Sequence, residues 1–268
     1  MNTMSEVSRD RQTSPDAPMQ PAEGDIAMHR QAGSGVGPGV VFCGGFHSNM
    51  AGNKAIHFEG IAKARDLAFT RFDYRGHGES AGSARALGIG HWLADTLSVI
   101  DSLDGPLVLV GSSMGAWMAV LAAERRPERV VGLLTLAAAP DFVTEIMRDT
   151  MCEPERAALD AKQLAWHPNG YGDDPWPIPP VLMDSGYDYK VLDVTTPIDV
   201  TATLIHGTAD RDVPFSLSQR LKAQRLSEAT PLVEIVDGDH RLSDPETLAT
   251  LEQEFDKLLI RIQQTQAG

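Results

Sequence analysis

Gly111-Ser112-Ser113-Met114-Gly115 holds two serines between two glycines, and the spacing G-x-S-x-G fits only when Ser113 is central. An apolar run, Leu107-Val108-Leu109-Val110, precedes it, and an Ala-rich helical stretch from Ala116 to Arg125 follows. A chain that turns from strand to helix within so few residues forces the central residue into a strained backbone. Bulky neighbours would clash there, so the flanking positions are glycine. The turn exposes an Oγ near a helix N-terminus, whose partial positive charge favours an oxyanion. This is chemistry for a nucleophile in acyl transfer. Ser112 lacks a glycine two residues on and is assigned to packing or a backbone hydrogen bond.

A serine needs a base, and the base an orienting acid. Downstream of Ser113 stand His167, His206 and His240. His240 closes Asp237-Gly238-Asp239-His240 after the β-like run Leu232–Val236, where a loop could hang it over strand ends; it is the expected base. His206 ends a strand and reads as a residue lining its turn, and His167 lies in an irregular stretch. For the acid, the segment Leu204–Pro214 offers Asp210 and Asp212; Asp210 is favoured, and Asp212 remains the alternative. The Met114 N–H, just after the nucleophile, is one expected oxyanion donor. The loop Gly44-Gly45-Phe46-His47 offers the N–H of Phe46 as the second, because glycines let backbone approach closely.

The elements that must position these groups alternate. β-like runs at 40–43, 68–73, 107–110, 130–136, 201–205 and 232–236 are continuously apolar rather than alternating, as in strands buried on both faces. Helical patterns at 53–63, 91–103, 116–125, 216–225 and 245–262 separate them, so the fold class is α/β, a mostly parallel sheet flanked by helices. Residues 141–194 break the rhythm and are too long for a plain connection; they read as an insertion over one edge of the sheet, most simply a lid. Residues 1–30, rich in Ser, Pro, Asp, Glu and Gln, read as a disordered tail, leaving 31–268 as one domain.

The net charge of −14 disfavours nucleic acid and anionic membranes as partners. No apolar run reaches the ~20 residues of a membrane span. The first residues lack the apolar centre of a secretory signal. Cys43 and Cys152 form no metal-type or disulfide pattern, which suits the cytoplasm.

Taken together, Gly44-Gly45-Phe46, Asp73 to Gly78, Gly111 to Gly115, His206 to Asp210 and Gly238-Asp239-His240 resemble the α/β-hydrolase superfamily over residues 35 to 262. The stretches GGFHSNMAGNKA, RFDYRGHGES and GDHRLS are similar to its acyl-protein thioesterase and acyl-glucuronide esterase branch, which has a mitochondrial member and bacterial relatives. The resemblance implies a serine esterase or thioesterase with a short lid and a Ser113-Asp210-His240 triad, acting on a small-molecule or acylated-protein substrate. No metal or organic cofactor is implied. Cleavage of carbon–carbon bonds by the same triad, or binding without catalysis, are the alternatives.

Overall fold

The computed structural model describes residues 20–170, 172 and 174–267. Its main sheet holds seven of its nine strands: β1 (Met28–Gln31), β2 (Gly39–Cys43), β3 (Phe69–Phe72), β4 (Leu107–Ser112), β5 (Val130–Leu136), β8 (Thr201–Gly207) and β9 (Leu232–Ile235). They lie in the order β1-β3-β2-β4-β5-β8-β9, and all pairs are parallel except β1 with β3. The helices of the sheet layers are α1 (Asn53–Ala64), α2 (Ile89–Asp101), α3 (Met114–Arg125), α7 (Phe215–Arg225) and α8 (Pro245–Ala267).

The apolar runs have the reason expected of them. Along β2, Val40 and Phe42 pack on one face against Phe58 of α1 and Phe255 of α8. Val41 and Cys43 pack on the other, with Trp92 of α2 and Trp117 of α3. A strand covered on both sides gains from an apolar residue at every position. Among the described residues, no helix is long and apolar enough to cross a membrane.

Two boundaries differ from expectation. Residues 1–19 of the expected tail lie outside the described residues. Residues 28–30, placed in that tail by composition, instead belong to strand β1, with Met28 opposite Phe72 and Gln31 opposite Phe69. The domain therefore begins before residue 31. An edge strand needs only backbone partners on one side, so β1 carries no apolar run; His29 pairs with Glu59 at 2.7 Å instead.

Between β5 and β8 the insertion has structure of its own. It runs through a π-helical turn (Val143–Met147), α4 (Arg148–Thr150), α5 (Glu153–Asp160), the antiparallel pair β6 (Ala165–His167) and β7 (Trp176–Ile178), and α6 (Pro180–Asp188). Its root is tied by Asp141. That carboxylate is wholly buried and accepts the Val191 N–H at 2.9 Å and the Leu192 N–H at 2.9 Å.

Candidate active site

Ser113 stands between β4 and α3 with φ 55° and ψ −120°. Its N–H donates to the Leu136 carbonyl at 2.9 Å, and its own carbonyl accepts from Ala116 and Ala139. The flanking glycines are required by contact. A Cβ on Gly115 would stand 2.0 Å from the Cys43 carbonyl oxygen, and one on Gly111 would stand 2.5 Å from the Ala116 Cα.

Three turns at the carboxyl ends of β4, β8 and β9 converge. His240 Nε2 lies 3.0 Å from Ser113 Oγ, and His240 Nδ1 lies 2.8 Å from Asp210 Oδ2. The β8 and β9 turns are knitted to each other, Ala209 N–H to the Gly238 carbonyl at 3.0 Å and Asp237 N–H to Thr208 Oγ1 at 2.9 Å. Asp210 Oδ1 accepts the N–H groups of Asp212 at 3.0 Å and Val213 at 2.9 Å. Of the two candidate carboxylates, Asp210 is therefore the one hydrogen-bonded to His240, while the Asp212 backbone helps to orient it. Burial alone would push the Asp210 carboxyl up, but hydrogen bonds from His206 and His240 outweigh burial and hold it well below the usual carboxylate range.

Asp210, Asp212 and His240 also place possible ligand atoms within 4.8 Å of one another. Both nitrogens of His240 and both oxygens of Asp210 are engaged in the bonds just given, so a metal ion there would have to break that chain.

Phe46 follows Gly45 in a turn closed by Ser48 N–H to the Gly45 carbonyl at 3.1 Å. Its ring lies in an aromatic cluster, 5.7 Å from Trp92, 5.5 Å from Phe142 and 5.3 Å from Trp176 between centroids. Met114 is fully buried at the first position of α3, where a backbone N–H has no partner within the helix. Asp73, in the turn after β3, ties this region together by accepting Met50 N–H at 2.6 Å and Glu79 N–H at 2.8 Å.

Two cavities meet at Ser113. One, of about 590 Å³, is lined by Asn49, Asn53, Lys54, Asn169, Arg241 and His47 among others, and carries no carboxylate among its described lining residues. Lys54 hydrogen-bonds the Arg241 carbonyl, and burial lowers its pKa to about 8 despite the nearby Asp239 and Asp210. Burial, with His77 beside it, lowers His47 to about 4. The other cavity, of about 300 Å³, is more apolar, with Phe142, Ile146, Met147, Trp176 and Val213 in its wall. His167 also lines it and faces Glu155 at 3.1 Å rather than Ser113.

Sequence reasoning missed Lys54, whose only signal was its place at the start of α1. It also missed that His206, read as a turn residue, touches Asp210.

Comparison with known proteins agrees with this architecture. Residues 40–251 match the alpha/beta hydrolase family. The chain is 31% identical over 230 residues to the palmitoyl-protein thioesterase ABHD10, mitochondrial, of Rattus norvegicus, covering 85% of this chain and 77% of that one. The Homo sapiens protein of the same name is 31% identical, with 85% and 75% covered. Among solved structures, a protein of Agrobacterium vitis S4 superposes with a TM-score of 0.83 at 29% identity, over 87% of this chain and 93% of that one. Alpha/beta hydrolase domain-containing protein 10 from mouse gives 0.79 at 31%, over 88% and 94%. A parallel sheet with a serine turn at its centre, matched along most of its length in sequence and in structure, places this chain in the alpha/beta hydrolase family.

Proposed function

We propose that the protein is a serine hydrolase that cleaves thioester or ester bonds of acylated proteins or small molecules through a Ser113-His240-Asp210 triad. The observation that carries this reading is the unbroken chain Ser113 Oγ, His240, Asp210 Oδ2 at 3.0 and 2.8 Å. His240 Nε2 takes the Ser113 proton as Oγ bonds to the acyl carbon. The N–H groups of Phe46 and Met114 receive the developing oxyanion. The tetrahedral adduct collapses, the bond to the leaving group breaks, and that group departs with the proton from His240. Water, deprotonated by His240, then adds to the acyl-enzyme, and Ser113 leaves with a proton restored. Asp210, kept ionised, holds His240 in the tautomer this requires.

The two cavities divide the substrate. The apolar one suits an acyl chain, consistent with relatives named palmitoyl-protein thioesterases. The polar one, with no carboxylate among its described lining residues, suits a leaving group rich in hydroxyls or negative charge, as in an acyl-glucuronide. The insertion 141–194 serves as the lid over both.

Hydrolysis of thioesters and oxygen esters from acetyl to palmitoyl length, with Ser113→Ala as control, tests the reading. We expect turnover that disappears in the variant. Turnover that persists in Ser113→Ala, or none on any member of the series, would overturn it.

A further inference from the structure

His206 is the last side chain of β8 before the turn that carries Asp210, and it has no exposed surface. Its Nε2 lies 3.1 Å from Asp210 Oδ2 and 3.1 Å from the Val213 carbonyl oxygen. Its Nδ1 lies 2.7 Å from Ser218 Oγ, in the first turns of α7. A carbonyl and a carboxylate only accept, so the ring hydrogen belongs on Nε2, and the Ser218 hydroxyl is left to serve Nδ1. The Phe215 ring closes the pocket edge-on at 5.6 Å.

We propose that His206 is a positioning residue for Asp210: its Nε2–H reaches the same Oδ2 that faces His240, and the Ser218 hydroxyl holds the ring from its other side by donating to Nδ1. This rests on the triad reading above. The chain of hydrogen bonds then spans five side chains, Ser218, His206, Asp210, His240 and Ser113. Oδ2 faces two imidazole nitrogens, His206 Nε2 sharing its one hydrogen between Oδ2 and the Val213 carbonyl, and Oδ1 accepts two backbone N–H groups, so the carboxylate is held against rotation. Without His206, one acceptor site on a buried carboxylate goes unmet. The carboxylate then turns more freely and supports the imidazolium less well as it forms.

The test uses the full chain with four substitutions: Ser113→Ala, His206→Phe, His206→Gln and Ser218→Ala. Three readouts are taken on one ester: kcat, KM, and the far-downfield proton resonance of His240 Nδ1–H. For His206→Phe, which keeps a ring but loses both nitrogens, we expect kcat to fall about 10- to 100-fold with KM within about twofold, and the resonance to move. His206→Gln, which retains an N–H donor, recovers part of the loss; Ser218→Ala costs a few-fold and moves the resonance less. An inactive Ser113→Ala beside a His206→Phe with wild-type kcat and an unmoved resonance overturns the inference and leaves the triad standing. Activity in Ser113→Ala overturns the triad reading itself. Should His206→Phe fail to fold, Ser218→Ala decides: a lowered kcat with a moved resonance supports the inference, and no change in either overturns it.

Discussion

Ser113 occupies a backbone region, φ 55° and ψ −120°, that suits glycine better than any L residue. Such a conformation costs on the order of 1–3 kcal/mol, offset by the hydrogen bonds around it. Ser113→Gly relieves the strain and removes the proposed nucleophile. We expect it to raise stability by about 1 kcal/mol in a denaturant titration while abolishing hydrolysis. Gly115→Ala does the opposite. Its Cβ would meet a backbone carbonyl at 2.0 Å that cannot swing away, so a loss of about 3 kcal/mol is expected from the same titration. Asp210→Asn should lower kcat by roughly 10⁴-fold with the fold intact, as measured by steady-state kinetics beside circular dichroism. The strained turn at Ser113 was legible because two glycines at fixed offsets have one physical reason to be there. Between Asp210 and Asp212 the motif favoured Asp210 but left the other open, because the choice depends on which oxygen faces His240 and which accepts the turn's own N–H groups. The contact of His206 with Asp210 was hidden for a similar reason, since the turn of residues 207–210 folds the carboxylate back onto it.

At the scale of elements, the central strands could be read because burial on both faces leaves continuous apolar runs. What could not be read was built from other signals. β1 is four residues with polar ones at its centre. β7 is three residues containing a proline, which reads as a breaker although its partner β6 supplies the register Trp166 to Pro177. α6 begins after Pro179 at Pro180, where the missing N–H costs nothing at a first helical position. Asp141 is the element-scale feature with the clearest consequence. Burial pushes its carboxyl from 3.8 to about 6, only partly countered by the Leu192 and Val191 N–H groups and Lys190, with Glu145 adding to the rise. The folded chain thus holds this proton more tightly than the unfolded one. The group's stabilising contribution is complete below pH 3.8 and is lost as pH rises through about 6. Unfolding free energies of wild type and Asp141→Asn, compared between pH 4 and 7, should show this drift in the wild type alone. Asp141→Ala leaves two buried N–H groups without an acceptor and should cost about 3 kcal/mol at pH 4, the cost shrinking as pH rises through about 6.

For the whole molecule, a charge of −14 surrounds a polar cavity whose described lining holds Lys54 and Arg241 and no carboxylate. The distant field opposes an anionic substrate, and the cavity welcomes it. Salt screens the first over about 8 Å at physiological ionic strength and reaches the second less. The rate constant kcat/KM for an anionic ester should therefore rise as salt is added from low ionic strength, and that for a neutral ester of equal chain length should stay level; stopped-flow measurement of both checks this. The Asp141 tie has a further meaning at this scale. Because both ends of the insertion meet at one carboxylate, the segment between Asp141 and Leu192 leaves and rejoins the framework at nearly one point. A closed loop of that kind can be lengthened, shortened or swapped for another at small entropic cost, without shifting β5 or β8. On the proposed reading of the insertion as a lid, substrate range and reaction chemistry are thereby made separately heritable: descendants of this chain can exchange the cover and keep the engine.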